Sequence, residues 1–188
     1  MMTRPPAGLE RPSVLLVDDR PENLLALEAI LVSLGQTLVR ATSGEEALKA
    51  LLADDYAVIL LDVQMPGMDG FETAAHIKRR ERTRDVPIIF LTAVHPDAEH
   101  AFRGYSAGAV DYVSKPFDPW VLRAKVSVFV DLFRKTEQVK RQGELLRREA
   151  ESNLRLIFES VEDFAIFSMD IAGRVSTWNT GAMSRLGT

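Results

Sequence analysis

Tyr56-Ala57-Val58-Ile59-Leu60-Leu61 is a continuous apolar run that stops on an acid, Asp62. A turn-rich loop follows, Met65-Pro66-Gly67-Met68-Asp69-Gly70, and then a helical stretch through about Arg80. A short apolar run without alternation suits a strand buried on both faces, as in a parallel sheet. The same unit recurs outward in both directions. Val14-Leu15-Leu16-Val17 stops at Asp18-Asp19, and Pro21 stands where a helix can begin. Leu24, Leu27, Ile30, Leu31 and Leu34 then recur at helical spacing until Gly35 ends the segment. Residues 37–41 form a short strand, and Ser43 or Gly44 opens a helix bearing Ala47, Leu48, Leu51 and Leu52. Residues 86–91 make another buried run ending at Thr92, and 97–107 a helix. Residues 110–113 make a strand ending near Lys115-Pro116, and Asp118 caps a last, long helix. Five strand-then-helix repeats predict an α/β fold, a doubly wound parallel sheet covered on both faces.

The 188 residues, 46% of them hydrophobic, suffice for one well-buried domain with something appended. A net charge of −4 gives no reason to expect nucleic-acid binding. The absence of cysteine excludes disulfides and thiolate metal sites. Residues 1–12 are Pro-rich, have no apolar core of signal-peptide length, and read as a disordered lead-in. No apolar run reaches the length of a membrane span. These features predict a soluble, cytoplasmic protein without a membrane partner.

The pattern changes past residue 124. Leu122, Phe129, Thr136, Gly143, Ala150 and Ile157 fall seven apart, with Leu132, Val139, Leu146 and Asn153 in the alternate slot and charges between them. This heptad predicts a parallel, homodimeric coiled coil over 125–153 rather than a helix folded back on its own domain. Thr136, Gly143 and Asn153 are its weak positions. Strand character returns at 164–169 and 174–178. The expected division is a lead-in over 1–12, an α/β domain over 13–124, a signalling helix over 125–153 and a partial α+β segment over 154–188.

The polar residues carry the chemistry. Asp18 and Asp19 end the first strand, Asp62 the third and Thr92 the fourth, while Lys115 lies just past the fifth. Ligands of open parallel sheets bind at the carboxyl ends of the strands, so these five side chains converge on one pocket. Three carboxylates there repel one another unless a cation compensates, and all-oxygen ligation suits Mg²⁺. Such a pocket suits phosphoryl transfer to a carboxylate, which needs positioning and charge neutralisation above all. Asp62 is the expected nucleophile, because it stands alone on a central strand while Asp18 and Asp19 are paired to hold metal. Lys115 would add positive charge and Thr92 a hydrogen bond.

The blocks Val17-Asp18-Asp19, Leu61-Asp62-Val63-Gln64-Met65-Pro66-Gly67-Met68-Asp69-Gly70, Leu91-Thr92-Ala93 and Lys115-Pro116-Phe117 resemble the signature blocks of receiver domains of two-component response regulators. The likeness covers about residues 12–130. It implies a flavodoxin-like strand order, 2-1-3-4-5, and a histidine kinase or phosphotransfer protein as partner. It makes Asp62 the phosphorylated aspartate, Asp19 the direct metal ligand, Asp18 a ligand through water, and the backbone carbonyl of Gln64 a further ligand. Thr92 becomes the switch hydroxyl, Lys115 the phosphoryl contact before a cis Pro116, and Tyr112 the aromatic that follows Thr92. The segment 156–186 resembles the start of a PAS sensor domain, on Ile157-Phe158-Glu159-Ser160, Asp170-Ile171-Ala172-Gly173-Arg174-Val175 and Trp178-Asn179. It stops after two strands, and no ligand is expected there.

Two other function classes compete. An aspartate-type phosphatase would want an acid two residues after the nucleophile, where Gln64 stands. A non-phosphorylated interaction module would be expected to lack some of the five residues. His76, His95 and His100 lie within the α/β domain and are expected at its surface. Gln64 and Val94, each two residues past a site residue, flank the path of an attacking water. Val94 is apolar and cannot position that water, whereas the Gln64 amide could; slow self-dephosphorylation is expected. The chain could also be the front of a hybrid kinase or a phosphatase.

Overall fold

The structure, a computed structural model, describes residues 12–93, 111–160 and 167–178. The lead-in through residue 11, the helix expected at 97–107, His95, His100 and Val94 lie outside the described residues.

Five parallel strands form one sheet: β1 (Ser13–Val17), β2 (Thr37–Ala41), β3 (Tyr56–Asp62), β4 (Ile88–Thr92) and β5 (Asp111–Ser114). Their order is β2-β1-β3-β4-β5, as expected. Three helices alternate with the first strands, α1 (Pro21–Leu31), α2 (Gly44–Ala53) and α3 (Gly70–Arg79), and α4 (Pro119–Ser160) follows β5. A 3-10 turn at Val32–Leu34 extends α1, and Gly35 ends it in the left-handed region, with φ 65°. Side-chain oxygens of Ser43, Asp69 and Asp118 accept from the first-turn N–H groups of α2, α3 and α4 respectively.

Strand alternation splits the interior into two layers. Val14, Leu16, Val58, Leu60, Ile89 and Leu91 face Leu24, Leu27 and Leu31 of α1 and Leu122, Val126 and Val130 of α4. Leu15, Val17, Ile59, Leu61 and Phe90 face Ala47 and Leu51 of α2 and Ala74 and Ile77 of α3. Every residue of β3 is buried, which explains why its sequence is apolar without alternation.

Three details differ from the sequence-based expectation. β4 begins at Ile88 rather than 86, because Val86 donates its N–H to Thr83 O in a turn and Pro87 has no N–H to donate. β5 runs one residue later than expected, through Ser114. The third concerns α4. The packed unit extends to Lys135, and Val126 and Val130, four residues apart on one helical face, are buried in it. The first turns beyond residue 124 therefore cover their own sheet, and Leu122 and Phe129 of the heptad are taken up by that core. The helix runs on to Ser160, past the last heptad position, Ile157.

The second unit comprises residues 136–188. It contains the end of α4 and an antiparallel pair, β6 (Phe167–Met169) and β7 (Val175–Trp178). Asp170 Oδ1 accepts from the N–H groups of Ala172 and Arg174, which closes the turn between the two strands. The part of the first expected strand over 164–166 lies outside the described residues.

Candidate phosphoacceptor site

Parallel register brings the strand ends to one edge. Asp18 follows β1 directly, Asp62 and Thr92 are the last residues of β3 and β4, and Lys115 follows β5. The Lys115 N–H donates to Thr92 O at 2.6 Å, so β5 leaves the sheet level with β4. The Lys115–Pro116 peptide bond is cis, as the family likeness implied.

The expected acids do converge. Ligand oxygens of Asp18, Asp19 and Asp62 all lie within 4.8 Å of one another. Asp18 and Asp62 are buried, and Asp19 is half-buried. Lys115 Nζ bridges two of them, at 2.8 Å from Asp18 Oδ2 and 2.8 Å from Asp62 Oδ2. Burial pushes the Asp62 carboxyl above the usual carboxylate range; the Lys115 ammonium opposes this, while the Asp18 charge adds to it. The Gln64 N–H donates to Asp62 Oδ1 at 3.3 Å and favours the charged form slightly.

The loop after Asp62 closes back on the strand end. The Gly70 N–H donates to Val63 O at 3.0 Å. A methyl group on Gly70 would overlap the Asp62 carbonyl oxygen and approach Val63 Cα to 2.8 Å. Only glycine lets α3 start this close to the Asp62 backbone.

Thr92 is half-buried at the same edge, and Tyr112 on β5 is half-buried as well. The Tyr112 ring packs against Phe90 with centroids 5.6 Å apart, and Phe90 in turn meets Phe71 of α3 at 4.9 Å, edge to face. His76 is exposed on α3 and takes no part in the site.

Sequence reasoning missed one residue here. Asn23, in the first turn of α1, donates its side-chain amide to both carboxylate oxygens of Asp18, at 2.8 and 2.9 Å. Its position five residues past Asp18, on the first helical turn, was the available signal.

A family model for the response regulator receiver domain matches residues 14–127. The protein belongs to the response regulator receiver family. The matched receiver region ends within α4, just past the buried Val126. The sensor protein GacS of Pseudomonas syringae pv. syringae is 34% identical over 145 residues, covering 76% of this chain and 16% of that protein. The transcriptional regulatory protein AfsQ1 of Streptomyces coelicolor is 42% identical over 115 residues, covering 61% of this chain and 49% of that one. The chain thus spans less than half the length of either of these two relatives. Among solved structures, the chemotaxis protein CheY4 of Vibrio cholerae superposes with a TM-score of 0.60 at 29% identity, covering 63% of this chain and 98% of that chain. Receiver homologues thus include both regulators and sensor kinases.

Three carboxylates with mutually close oxygens are a hard-oxygen donor set, and such a set fits Mg²⁺ better than a soft metal. Among the described residues Asp19 makes no hydrogen bond or ion pair, which leaves its oxygens open to a cation. No helix among the described residues is long and apolar enough to cross a membrane.

Proposed function

We propose that the protein is a phosphoacceptor in a two-component pathway, with Asp62 taking a phosphoryl group from a histidine kinase or phosphotransfer protein. The observation that carries this reading is the convergence of Asp18, Asp19, Asp62 and Lys115 at one strand edge. An Asp62 oxygen attacks phosphorus, the bond from phosphorus to the donor nitrogen or oxygen breaks, and an acyl phosphate forms. Lys115 already lies against Asp62 and is placed to follow the incoming charge. Thr92 offers a hydroxyl to a phosphoryl oxygen, and Tyr112 on the neighbouring strand responds to that bond. Asp19 and Asp62, with the Gln64 carbonyl, would hold Mg²⁺, and Asp18 would do so through water. Bound there, Mg²⁺ neutralises phosphoryl charge during transfer. The protein acts as acceptor rather than as an enzyme on an external substrate, and its acyl phosphate is expected to hydrolyse slowly. That expectation rests on Val94, whose apolar side chain cannot position the attacking water and which lies outside the described residues.

Incubation of the chain with acetyl phosphate and Mg²⁺, followed by intact-mass measurement, should add one phosphoryl group. Chelation of Mg²⁺ should abolish the addition. Addition that survives chelation would contradict the metal role.

The signal leaves through α4, in this reading as a parallel homodimer. Leu132, Val139, Leu146 and Ile157 are 57, 68, 67 and 63% exposed, and the first three are spaced by seven. Since Leu122, Val126 and Val130 are buried in the receiver core, the seam is assigned to residues from Leu132 onward. Ion pairs within the helix, Lys140–Glu137 and Arg147–Glu151, leave this stripe apolar. Sedimentation should give a dimer that Leu132→Asp combined with Leu146→Asp converts to monomer. Val139→Cys should crosslink to its counterpart. A wild-type monomer at tens of micromolar would sink the dimer and this route of signalling. The remainder, 154–188, is read as the opening of a PAS-like region, supported by its antiparallel strand pair. The similarity to the sensor protein GacS favours a second reading, in which this chain is a piece of a hybrid sensor kinase.

A further inference from the structure

The three acids of the site are not equivalent. Asp18 is fully buried, and protein donors already occupy its two oxygens. Oδ1 accepts from the Arg20 N–H at 3.0 Å and from Asn23 Nδ2 at 2.8 Å. Oδ2 accepts from Asn23 Nδ2 at 2.9 Å and from Lys115 Nζ at 2.8 Å. The Asn23 nitrogen reaches both oxygens as one bifurcated donor, so three protein donors fill most of the about four lone-pair sites of Asp18 without a cation. Asp62 receives one backbone N–H and Lys115. Asp19 receives nothing from the described residues.

From this asymmetry we propose that Asn23 is a positioning residue that occupies Asp18 and thereby sets how strongly the acidic cluster demands a cation. The inference rests on the metal reading given above and adds a residue to it. Of the three donors that compensate the buried Asp18 charge, only the Asn23 amide spans both oxygens. With the amide in place, Asp18 is held toward α1 and shares Lys115 with Asp62, so a hydrated cation must compete with protein donors for its oxygens. Without the amide, Asp18 is a buried carboxylate short of donors, and an unsatisfied buried charge is costly. A cation and its water then relieve that cost, and binding tightens. The metal-free fold loses the same hydrogen bonds and weakens. Tighter Mg²⁺ binding together with a less stable metal-free fold separates this role from general scaffolding, whose loss would weaken both.

The test is calorimetric titration of Mg²⁺ alone into the full chain, with thermal melts in chelator. Asn23→Ala removes the donor, and Asn23→Leu removes it while nearly preserving volume, so that one informative variant folds. Both should bind Mg²⁺ about five- to tenfold more tightly than wild type and melt at lower temperature without it. Unchanged or weaker Mg²⁺ binding in the folded Asn23 variants, with wild type binding normally, would overturn the positioning role and leave the metal reading standing. Asp19→Ala, run beside them, should lose the binding. A wild-type chain that binds no Mg²⁺, or an Asp19→Ala variant that binds it as wild type does, would overturn the metal reading and this inference with it.

Discussion

Gly70→Ala should cripple the site without touching a charged residue. A methyl group at this position overlaps the Asp62 carbonyl oxygen and crowds Val63 Cα, both backbone atoms that cannot rotate away. Relief requires α3 to move off the strand end or the end of β3 to bend. Overpacking of this kind costs about 1–3 kcal/mol. The functional loss should be larger than the stability loss suggests, because displacing a reacting group by about 1 Å can cost about a hundredfold in rate. Urea unfolding reads the first effect, and the rate of phosphoryl addition from acetyl phosphate reads the second. An alanine variant that phosphorylates at the wild-type rate would show that the close approach of Gly70 does not position Asp62.

Lys115→Ala should show a stability loss that depends on pH. Its ammonium contacts the buried Asp18 and the buried Asp62, and removing one member of a buried pair costs about 3–5 kcal/mol. The side chain retains 20% of its exposure, so the lower part of that range is expected. The sign of the pH dependence follows from Asp62. Burial holds its carboxyl above the usual range even with Lys115 present, and Lys115 is what pulls it down. A carboxyl raised in the folded state favours folding while it is protonated. That contribution is present below the unfolded-state value and is lost as pH rises through the folded-state value. Without Lys115 the carboxyl rises further. The variant should therefore approach wild-type stability in acid, fall away from it toward neutrality, and recover in part when Mg²⁺ is added. A deficit of the same size at every pH would mean that Lys115 contributes through packing of its stem, not through charge.

The sheet was legible because its strands are buried on both faces. Continuous apolar runs such as 56–61 admit few other readings, and each ends on a residue whose polarity serves no core purpose. The convergence of Asp18, Asp62 and Lys115 then follows from parallel topology, whereas the strand order was legible only through the likeness to receiver domains. Boundaries were less legible where a local hydrogen bond decides them. Val86 looks like strand, yet its N–H is used in the Thr83 turn. The division of α4 was hidden for another reason. Leu122 and Phe129 satisfy a heptad and also pack beneath the sheet, and spacing cannot distinguish a second helix from the helix's own domain. Asn23 was invisible because an amide in a first helical turn has many ordinary uses, and only its contact with both oxygens of Asp18 reveals this one.

Asn23, Lys115 and Gly70 act on the site in different ways. Asn23 and Lys115 balance the charge of the acids, while Gly70 fixes where the Asp62 backbone stands. All three roles presuppose that Asp62 is the residue that reacts. Borohydride reduction of the chain after treatment with acetyl phosphate and Mg²⁺, followed by peptide mapping, locates the acyl phosphate directly, because reduction converts a phosphorylated aspartate to homoserine. Homoserine is expected at position 62 alone, and none in Asp62→Asn. Homoserine at another aspartate in the wild-type chain, or undiminished labelling of Asp62→Asn, would contradict the assignment of Asp62.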